Sequence, residues 1–159
     1  MDWDILVEEL GPKLFRYFTV RQSYGQASDL VQETLLRLYE LVYRGKFDPN
    51  KGKVHSFAYG IAYKIQQEAG RKNRVMGYAD EIDDIPTTDP SNSFTECLAL
   101  KKAIEVTLSS SEQNVIQLYL DKELKLEEIA GILEIPVNTV KSHMSRAKKK
   151  LREYLQGDK

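Results

Sequence analysis

The chain has 159 residues, with 23 lysines and arginines against 24 aspartates and glutamates, and a formal net charge of −1. This length suits one domain or two small ones, and 42% hydrophobic residues are enough for a folded core. No apolar run approaches the roughly 18 to 20 residues of a membrane helix, and the acidic start Met1-Asp2-Trp3-Asp4 lacks the pattern of a signal peptide. The single cysteine, Cys97, excludes an intramolecular disulfide and a cysteine metal cluster, so we expect a soluble, cytoplasmic protein. A net charge near zero argues weakly against a nucleic-acid binder.

The first half of the chain has the apolar periodicity of three amphipathic helices. Residues 3–22 form a helical stretch that we expect to break at Gly11-Pro12, because an interior proline removes a backbone donor. Residues 26–44 carry an apolar stripe that ends at Gly45. After a turn at 47–52, a long helix is predicted from about residue 54 to 74.

This long helix mixes aromatic and basic side chains. Aromatic residues at helical spacing usually pack inward, and Phe57 and Ile61 fit that interpretation. A second flank suits single-stranded DNA, since bases stack on aromatic rings while cations follow the phosphates. That flank and the basic helix end consist of Tyr59, Tyr63, Lys64, Arg71, Lys72 and Arg74.

The charge is divided unevenly along the chain. Residues 1–74 carry +3, with 12 basic and 9 acidic groups, and residues 75–107 carry −5, with 2 and 7. Residues 108–159 carry +1, with 9 and 8. Residues 75–93 also contain Pro86 and Pro90 among clustered turn formers. We therefore predict an all-α protein of two small helical domains, 1–74 and 94–159, joined by an acidic flexible linker at 75–93.

The second domain ends in a predicted helix-turn-helix. A helix at 94–107 is followed by a capping box, Ser109 to Glu112, that opens a helix reaching about Asp121. A short helix at 126–133, a tight connection at 134–138 and a helix at 139–156 complete the unit. Asn138 is the expected N-cap of the last helix. Its expected apolar face is Val140, Met144, Ala147, Leu151 and Tyr154 or Leu155.

The last helix carries six basic residues and no acidic one between positions 138 and 152. A basic face is often only a solvated surface, but six cations without acidic partners repel one another, and an anionic ligand would relieve this repulsion. The second helix of a helix-turn-helix lies in the major groove. We expect Lys141, Ser142, Ser145 and Arg146 to read bases, and Lys148, Lys149 and Arg152 to neutralise phosphates.

Other classes of site find little support. His55 and His143 stand alone, without the cysteines or carboxylates of a metal site. The sequence has no glycine-rich phosphate loop, nucleophile elbow or HExxH pair. We therefore expect no enzymatic activity, no metal, no cofactor and no small-molecule substrate.

Two segments resemble a known family. The run Asp29-Leu30-Val31-Gln32-Glu33-Thr34-Leu35-Leu36-Arg37-Leu38-Tyr39 resembles the second conserved region of bacterial RNA polymerase sigma factors. The segment from Leu108 to Leu151, including the helix start Asn138-Thr139-Val140-Lys141-Ser142, resembles their fourth conserved region. The order of the two lobes and the short linker resembles the extracytoplasmic-function group of the sigma-70 family.

The resemblance implies partners and roles. Core RNA polymerase would be bound through its β′ clamp helices and β flap, together with promoter DNA, and an anti-sigma factor is a further candidate partner. The clamp-helix contact would be made by Asp29, Gln32, Glu33, Leu36 and Arg37. The −10 element would be melted and captured by Tyr59, Tyr63, Lys64, Arg71, Lys72 and Arg74. The −35 element would be read by Asn138, Thr139, Lys141, Ser142, Ser145, Arg146, Lys149 and Arg152.

The sequence also departs from the family pattern. Lys64 stands where Asn is frequent, and Gly60 and Tyr63 stand where basic residues are frequent. Glu134 occupies a turn position often held by glycine, and a positive φ there would cost about 1 kcal/mol. Lys125 replaces a hydroxyl cap, so we expect the short helix to be weakly capped.

One alternative function remains open. A stand-alone helix-turn-helix regulator would use residues 1–107 as a sensor or dimerisation lobe and would bind a palindromic site.

Cys97 is interpreted as a small buried hydrophobic residue.

Overall fold

A computed structural model describes the backbone of residues 2–76 and 92–156 and the side chains of residues 2–72 and 98–156. The described backbone contains seven α-helices and no strand. The chain divides into two compact units, Met1–Asp83 and Asp84–Lys159. The expected all-α fold with two helical domains is therefore confirmed. The predicted linker at 75–93 falls largely outside the described residues, so its limits remain a prediction, and the side chain of Cys97 also lies outside them.

The first unit contains α1 (Trp3–Thr19), α2 (Tyr24–Tyr43) and α3 (Val54–Met76), which all pack on one another. Asp2 caps α1 by accepting bonds from the N–H groups of Asp4 and Ile5 at 3.1 and 3.4 Å. Ser23 caps α2 through the N–H of Gln26 at 3.2 Å. Each helix start thus satisfies otherwise unpaired N–H groups with a polar side chain. The fully buried side chains of the unit include Leu10, Leu14, Phe18, Leu38, Tyr59 and Ile65.

The predicted break at Gly11-Pro12 is wrong, because α1 runs through both residues. The apolar residues on either side of Pro12 form one continuous buried face: Leu6, Leu10, Leu14, Tyr17 and Phe18. Burial of that face outweighs the loss of one backbone hydrogen bond at an exposed proline. The predicted end of α2 is confirmed, since Gly45 adopts a φ of 73° two residues after the helix ends.

The second unit contains α4 (Asn92–Thr107), α5 (Ser110–Tyr119), α6 (Leu126–Leu133) and α7 (Val137–Gln156). α7 packs against each of the other three helices and is the central element of the unit. The predicted capping box is confirmed: Ser109 Oγ accepts from the Glu112 N–H at 3.2 Å, and a Glu112 carboxylate oxygen accepts from the Ser109 N–H at 2.9 Å. The core includes Ala103, Ile104, Val115, Leu118, Ile129, Val140 and Ala147.

None of the described helices has both the length and the apolar character that a membrane span requires.

Candidate nucleic-acid interface

The connection between α6 and α7 has the geometry of a helix-turn-helix. Glu134 ends α6 in the left-handed conformation, with φ 58° and ψ 43°, as expected from its position. The Ile135 N–H then donates to the Ala130 carbonyl at 3.1 Å, which closes the turn. Ala130 is buried, and a small side chain there permits close packing in the helix pair. The tight turn therefore fixes the direction in which α7 leaves α6.

The prediction that Asn138 caps α7 is wrong. The helix begins at Val137, two residues before the predicted start, and the N–H groups of Thr139 and Val140 donate to the Pro136 carbonyl at 3.0 and 3.1 Å. Pro136 suits the helix start because its φ is already helical and it has no N–H to leave unpaired. Asn138 therefore lies in the first turn of α7, where its exposed side chain is available to a ligand.

The start of α6 is weakly capped, as expected from Lys125. The Lys125 side chain makes no capping hydrogen bond to the helix. A lysine ammonium has no acceptor to offer to a free N–H. The Glu128 carboxylate supplies only the reciprocal contact, accepting from the Lys125 N–H at 2.9 Å.

The face of α7 opposite the core is polar and exposed. Val140, Met144 and Ala147 are buried, as predicted, and Leu151 is half-buried. The apolar face does not continue to the end of the helix, because Tyr154 and Leu155 are 41% and 52% exposed. Of the residues predicted to read the −35 element, Thr139 is half-buried and the exposed ones are Asn138, Lys141, Ser142, Ser145, Arg146, Lys149 and Arg152.

The six cations of α7 are not all without partners, which corrects the sequence interpretation. Lys150 Nζ donates to Glu112 Oε1 at 2.7 Å, and Arg146 Nε lies 3.6 Å from Glu112 Oε2. Lys148 Nζ donates to the Tyr119 hydroxyl at 3.2 Å and lies 4.6 Å from the centroid of that ring. These partners lie on α5, 29 to 38 residues before the cations, so no pattern within α7 could have revealed them.

Glu112 is nearly inaccessible, with a side chain that is 4% exposed. Burial opposes ionisation of this carboxyl, but the hydrogen bonds from Lys150 and from the Ser109 backbone outweigh it and hold the pKa of Glu112 below its ordinary value. Arg146 has a further contact within α7, because its Nη2 lies 3.0 Å from His143 Nδ1. The guanidinium of Arg146 is thus held from two sides.

The structure removes Tyr59 from the predicted DNA-contact residues of α3. Its side chain is only 1% exposed, and its ring packs edge-on against Tyr17 with the centroids 5.6 Å apart. A ring enclosed in this way cannot stack on a base. The sequence could not separate Tyr59 from Tyr63, because residues four apart lie on neighbouring positions of a helix surface.

The other predicted residues of this surface remain accessible. Tyr63 is half-buried, and its hydroxyl accepts from Gln67 Nε2 at 2.7 Å. Lys64, Arg71 and Lys72 are exposed, and the side chain of Arg74 lies outside the described residues.

The segment between α2 and α3 forms a further surface that was not predicted from the sequence. An open concavity there is lined by Phe47, Pro49, Asn50, Lys51, Gly52, Lys53, Val54 and His55. Phe47 and Phe57 pack at its aromatic end with their centroids 5.1 Å apart. The available signal was a phenylalanine followed by two lysines and a histidine within nine residues.

The predicted polymerase-binding residues share α2. Asp29, Gln32 and Glu33 are exposed, and Leu36 is 70% exposed, which is unusual for a leucine in a helix that has a buried face. Further along the same helix, Tyr39 and Tyr43 are also exposed and stack with their centroids 6.2 Å apart. Tyr39 follows Leu36 by three residues and Tyr43 follows Tyr39 by four, and this helical spacing was a signal available in the sequence.

Arg37 is more constrained than expected. It is half-buried and bridges two helices, with Nη2 at 3.0 Å from Glu33 Oε1 and 2.9 Å from Glu68 Oε2 on α3. The hydrogen bond from Arg37 lowers the pKa of Glu68, and the same contact raises the pKa of Arg37. Arg37 therefore joins α2 to α3.

No cluster of His, Cys, Asp and Glu suited to a metal ion occurs among the described side chains. His55 Nε2 has a single acidic neighbour, Glu9, at 3.7 Å.

Comparisons with known proteins match two segments of the chain. A family model described as Sigma-70 region 2 matches residues 6–84, and one described as Sigma-70, region 4 matches residues 99–151. The ECF RNA polymerase sigma factor SigW of Bacillus subtilis is 30% identical over 147 residues, covering 82% of this chain and 75% of that protein. The ECF RNA polymerase sigma factor SigE of Mycolicibacterium smegmatis is 26% identical over 158 residues, covering 96% of this chain. The chain spans 61% of the length of that SigE.

Solved structures show the same fold. The sigma factor RpoE from Bartonella quintana, crystallised with the anti-sigma factor NepR, has a TM-score of 0.76 and 22% identity, with 99% of both chains covered. CnrH, in complex with the cytosolic domain of CnrY, has a TM-score of 0.74 and 18% identity, with 99% of this chain and 89% of that chain covered. At these identities the likeness concerns the fold alone.

Proposed function

The chain belongs to the sigma-70 family, in its extracytoplasmic-function group, and from this we propose that it is a dissociable, non-catalytic subunit of RNA polymerase that directs promoter recognition and transcription initiation. One observation carries the proposal. Both conserved regions occur in the family's order, each on its own compact helical unit, and each presents an exposed polar surface. The protein would act in the cytoplasm, where core polymerase and promoter DNA are found.

The reader of the −35 element in this proposal is the exposed face of α7. The first turns of the second helix in a helix-turn-helix meet base edges, and later cations meet phosphates. This assigns base contacts to Lys141, Ser142, Ser145 and Arg146, with Asn138 and Thr139 at the helix start. Lys149 and Arg152 are assigned to phosphates.

The −10 element would meet α3 and the preceding loop. Tyr63, Lys64, Arg71 and Lys72 offer the aromatic and basic groups that single-stranded DNA requires, and Arg74 extends this series in the sequence. The concavity at residues 47–55 adds Lys51, Lys53 and His55. Tyr59 supports this surface from within the core instead of contacting DNA.

The polymerase contact would use the outer face of α2. An exposed leucine next to charged side chains is typical of an interface centre with a polar rim, which fits Leu36 beside Asp29, Gln32 and Glu33. Arg37, through its ion pair with Glu68, would hold this face of α2 in place, and the face would contact the β′ clamp helices. The second unit would meet the β flap, and the acidic segment at 75–93 would follow the basic RNA exit path. An anti-sigma factor is a further proposed partner, since the sigma factor RpoE, which has this fold, was solved with the anti-sigma factor NepR.

The test is reconstitution of the full chain with core RNA polymerase. We expect a stable complex by gel filtration and promoter-dependent transcripts in a run-off assay. Leu36→Asp should abolish the complex, because it places a charge at the centre of the interface. Val106→Asp makes the same change at an exposed apolar residue of α4 and should leave complex formation intact. Failure of the wild-type chain to form any core complex would disprove the proposal.

The same preparation tests the alternative of a stand-alone regulator. Such a protein would dimerise and shift a palindromic duplex in the absence of polymerase. We expect instead a monomer whose binding to free duplex is weak and strongly salt-dependent.

A further inference from the structure

Glu112 is a buried carboxylate that makes more contacts than a helix cap requires. It stands at the third position of α5, where a glutamine would serve equally well in a capping box. Its two oxygens also face two cations of α7, Lys150 at 2.7 Å and Arg146 at 3.6 Å. The cations are 43% and 57% exposed, while the Glu112 side chain is 4% exposed.

The cations of α7 therefore form two sets. Arg146 and Lys150 face Glu112, and Lys148 is bound to Tyr119. Among residues with described side chains, no partner is found for Lys141, Lys149 or Arg152. Only the second set can meet a phosphate without first leaving a protein contact.

A carboxylate held between two cations competes with any other anion for them. The contact to Lys150 is short and charge-assisted, and its carboxylate is shielded from water, so exchanging it for a solvated phosphate brings little gain. Lys141, Lys149 and Arg152 have no such contact to lose. The competition is electrostatic and needs no change of fold.

We propose that Glu112 is an internal counter-charge that withholds Arg146 and Lys150 from DNA phosphates and so limits non-specific DNA binding by the reader helix. This inference rests on the proposed function of α7 as a DNA reader. Glu112 is then a positioning residue that affects DNA binding through the two cations. Together with His143 on the other side, Glu112 also keeps the guanidinium of Arg146 in a defined orientation for a base edge.

The salt dependence of binding measures this directly. Each phosphate neutralised by a cation contributes about −0.9 to the slope of log affinity against log salt concentration. Releasing one cation should therefore increase the affinity loss between 50 and 200 mM salt by about threefold, and releasing both by about tenfold. Loss of a purely structural contact would leave the slope unchanged.

The experiment is a fluorescence-anisotropy titration of the full chain with a 20-base-pair duplex of random sequence at several salt concentrations from 25 to 200 mM. Glu112→Gln keeps the cap acceptor and removes the charge, and we expect tighter binding at low salt with a steeper slope. Glu105→Gln removes the same charge from an exposed position on α4, and its slope should equal that of the wild type.

A second pair of variants does not depend on the folding of the Glu112 variant. Lys150→Gln removes a cation that is already neutralised, so the slope should stay at the wild-type value. Lys149→Gln removes a cation without such a partner, and its slope should become shallower by about 0.9. Circular dichroism checks that each variant retains its helices.

The outcomes separate the two proposals. The Glu112 inference is wrong if Lys149→Gln makes the slope shallower but Glu112→Gln does not make it steeper. It is also wrong if Lys150→Gln makes the slope as shallow as Lys149→Gln does. In both cases the assignment of α7 as a DNA reader stands. If no variant binds the duplex even at 25 mM salt, there is no non-specific binding for Glu112 to limit and the Glu112 inference is wrong, while the proposed function is still decided by the complex with core polymerase.

Discussion

Tyr59 and Tyr63 lie four residues apart on α3 and differ sharply in their surroundings. Tyr59 is enclosed against Tyr17, while Tyr63 is half-buried and bonded through its hydroxyl to Gln67. A difference this large between neighbours on one helix arises where the edge of the core passes between them. The chemistry available to each ring therefore depends on the packing of α1, and only Tyr63 can serve a ligand.

Tyr59→Ala should be strongly destabilising. Truncation of a fully buried aromatic ring leaves a cavity, and we expect the free energy of unfolding to fall by about 3 to 5 kcal/mol. Lys64→Ala, at an exposed position on the same helix, should change it by no more than about 0.5 kcal/mol. Urea denaturation followed by circular dichroism measures both. A stable Tyr59→Ala variant with impaired DNA binding would instead support a direct contact.

Glu134 is a position at which we expect a substitution to increase the stability of the protein. Its φ of 58° is unfavourable for a residue with a Cβ atom, so Glu134→Gly should raise the free energy of unfolding by about 1 kcal/mol. Glu134→Ala removes the same charge but keeps the Cβ atom, and we expect little or no gain from it. Comparison of the two denaturation curves isolates the backbone contribution from the charge.

Helix α6 begins without a capping hydrogen bond from a side chain, and a single substitution could supply one. Lys125→Ser adds an acceptor for a free N–H in the first turn, while Glu128 keeps its reciprocal bond. We expect about 1 kcal/mol of added stability, visible as slower amide hydrogen exchange in α6. Lys122→Ser, at an exposed position in the preceding loop, is the control and should leave exchange in α6 unchanged.

At the scale of the whole molecule, each unit contains a described carboxylate whose pKa is lowered by a basic partner. Arg37 lowers the pKa of Glu68 in the first unit. In the second, the bonds from Lys150 and Ser109 outweigh the burial of Glu112. A carboxylate with a lowered pKa in the folded state stabilises the protein above its ordinary pKa, about 4.3 for glutamate. That stability is lost as the pH falls through the lower folded value.

We therefore expect urea midpoints to be constant from pH 7 to about pH 5 and to fall steadily below about pH 4. The Glu112→Gln variant cannot titrate at this site, so its midpoint should decline less between pH 5 and pH 3. Glu105→Gln, at an exposed residue of α4, should follow the wild type. Parallel curves for the wild type and Glu112→Gln would contradict the role assigned to this carboxylate.

The charge distribution, the helices and the two conserved regions were determined by the sequence alone. Apolar spacing is a local property, and it located the seven helices of the described backbone to within a few residues. The motif from Ser109 to Glu112 predicted the capping box, and the resemblance to the family drew attention to a positive φ at Glu134. Motif order was enough to identify the family. Two local rules failed, at Pro12 and at Asn138, because burial of a continuous face and the geometry of Pro136 outweighed them.

Tertiary structure alone decided which side chains remain available for function. It placed Tyr59 in the core, joined Arg37 to Glu68, and brought Glu112 from α5 to the cations of α7. These contacts join residues 31 to 42 positions apart, where no helical period connects them. The net charge of −1 is a sum over the sequence, but the charge that DNA would meet depends on which cations the fold has already paired.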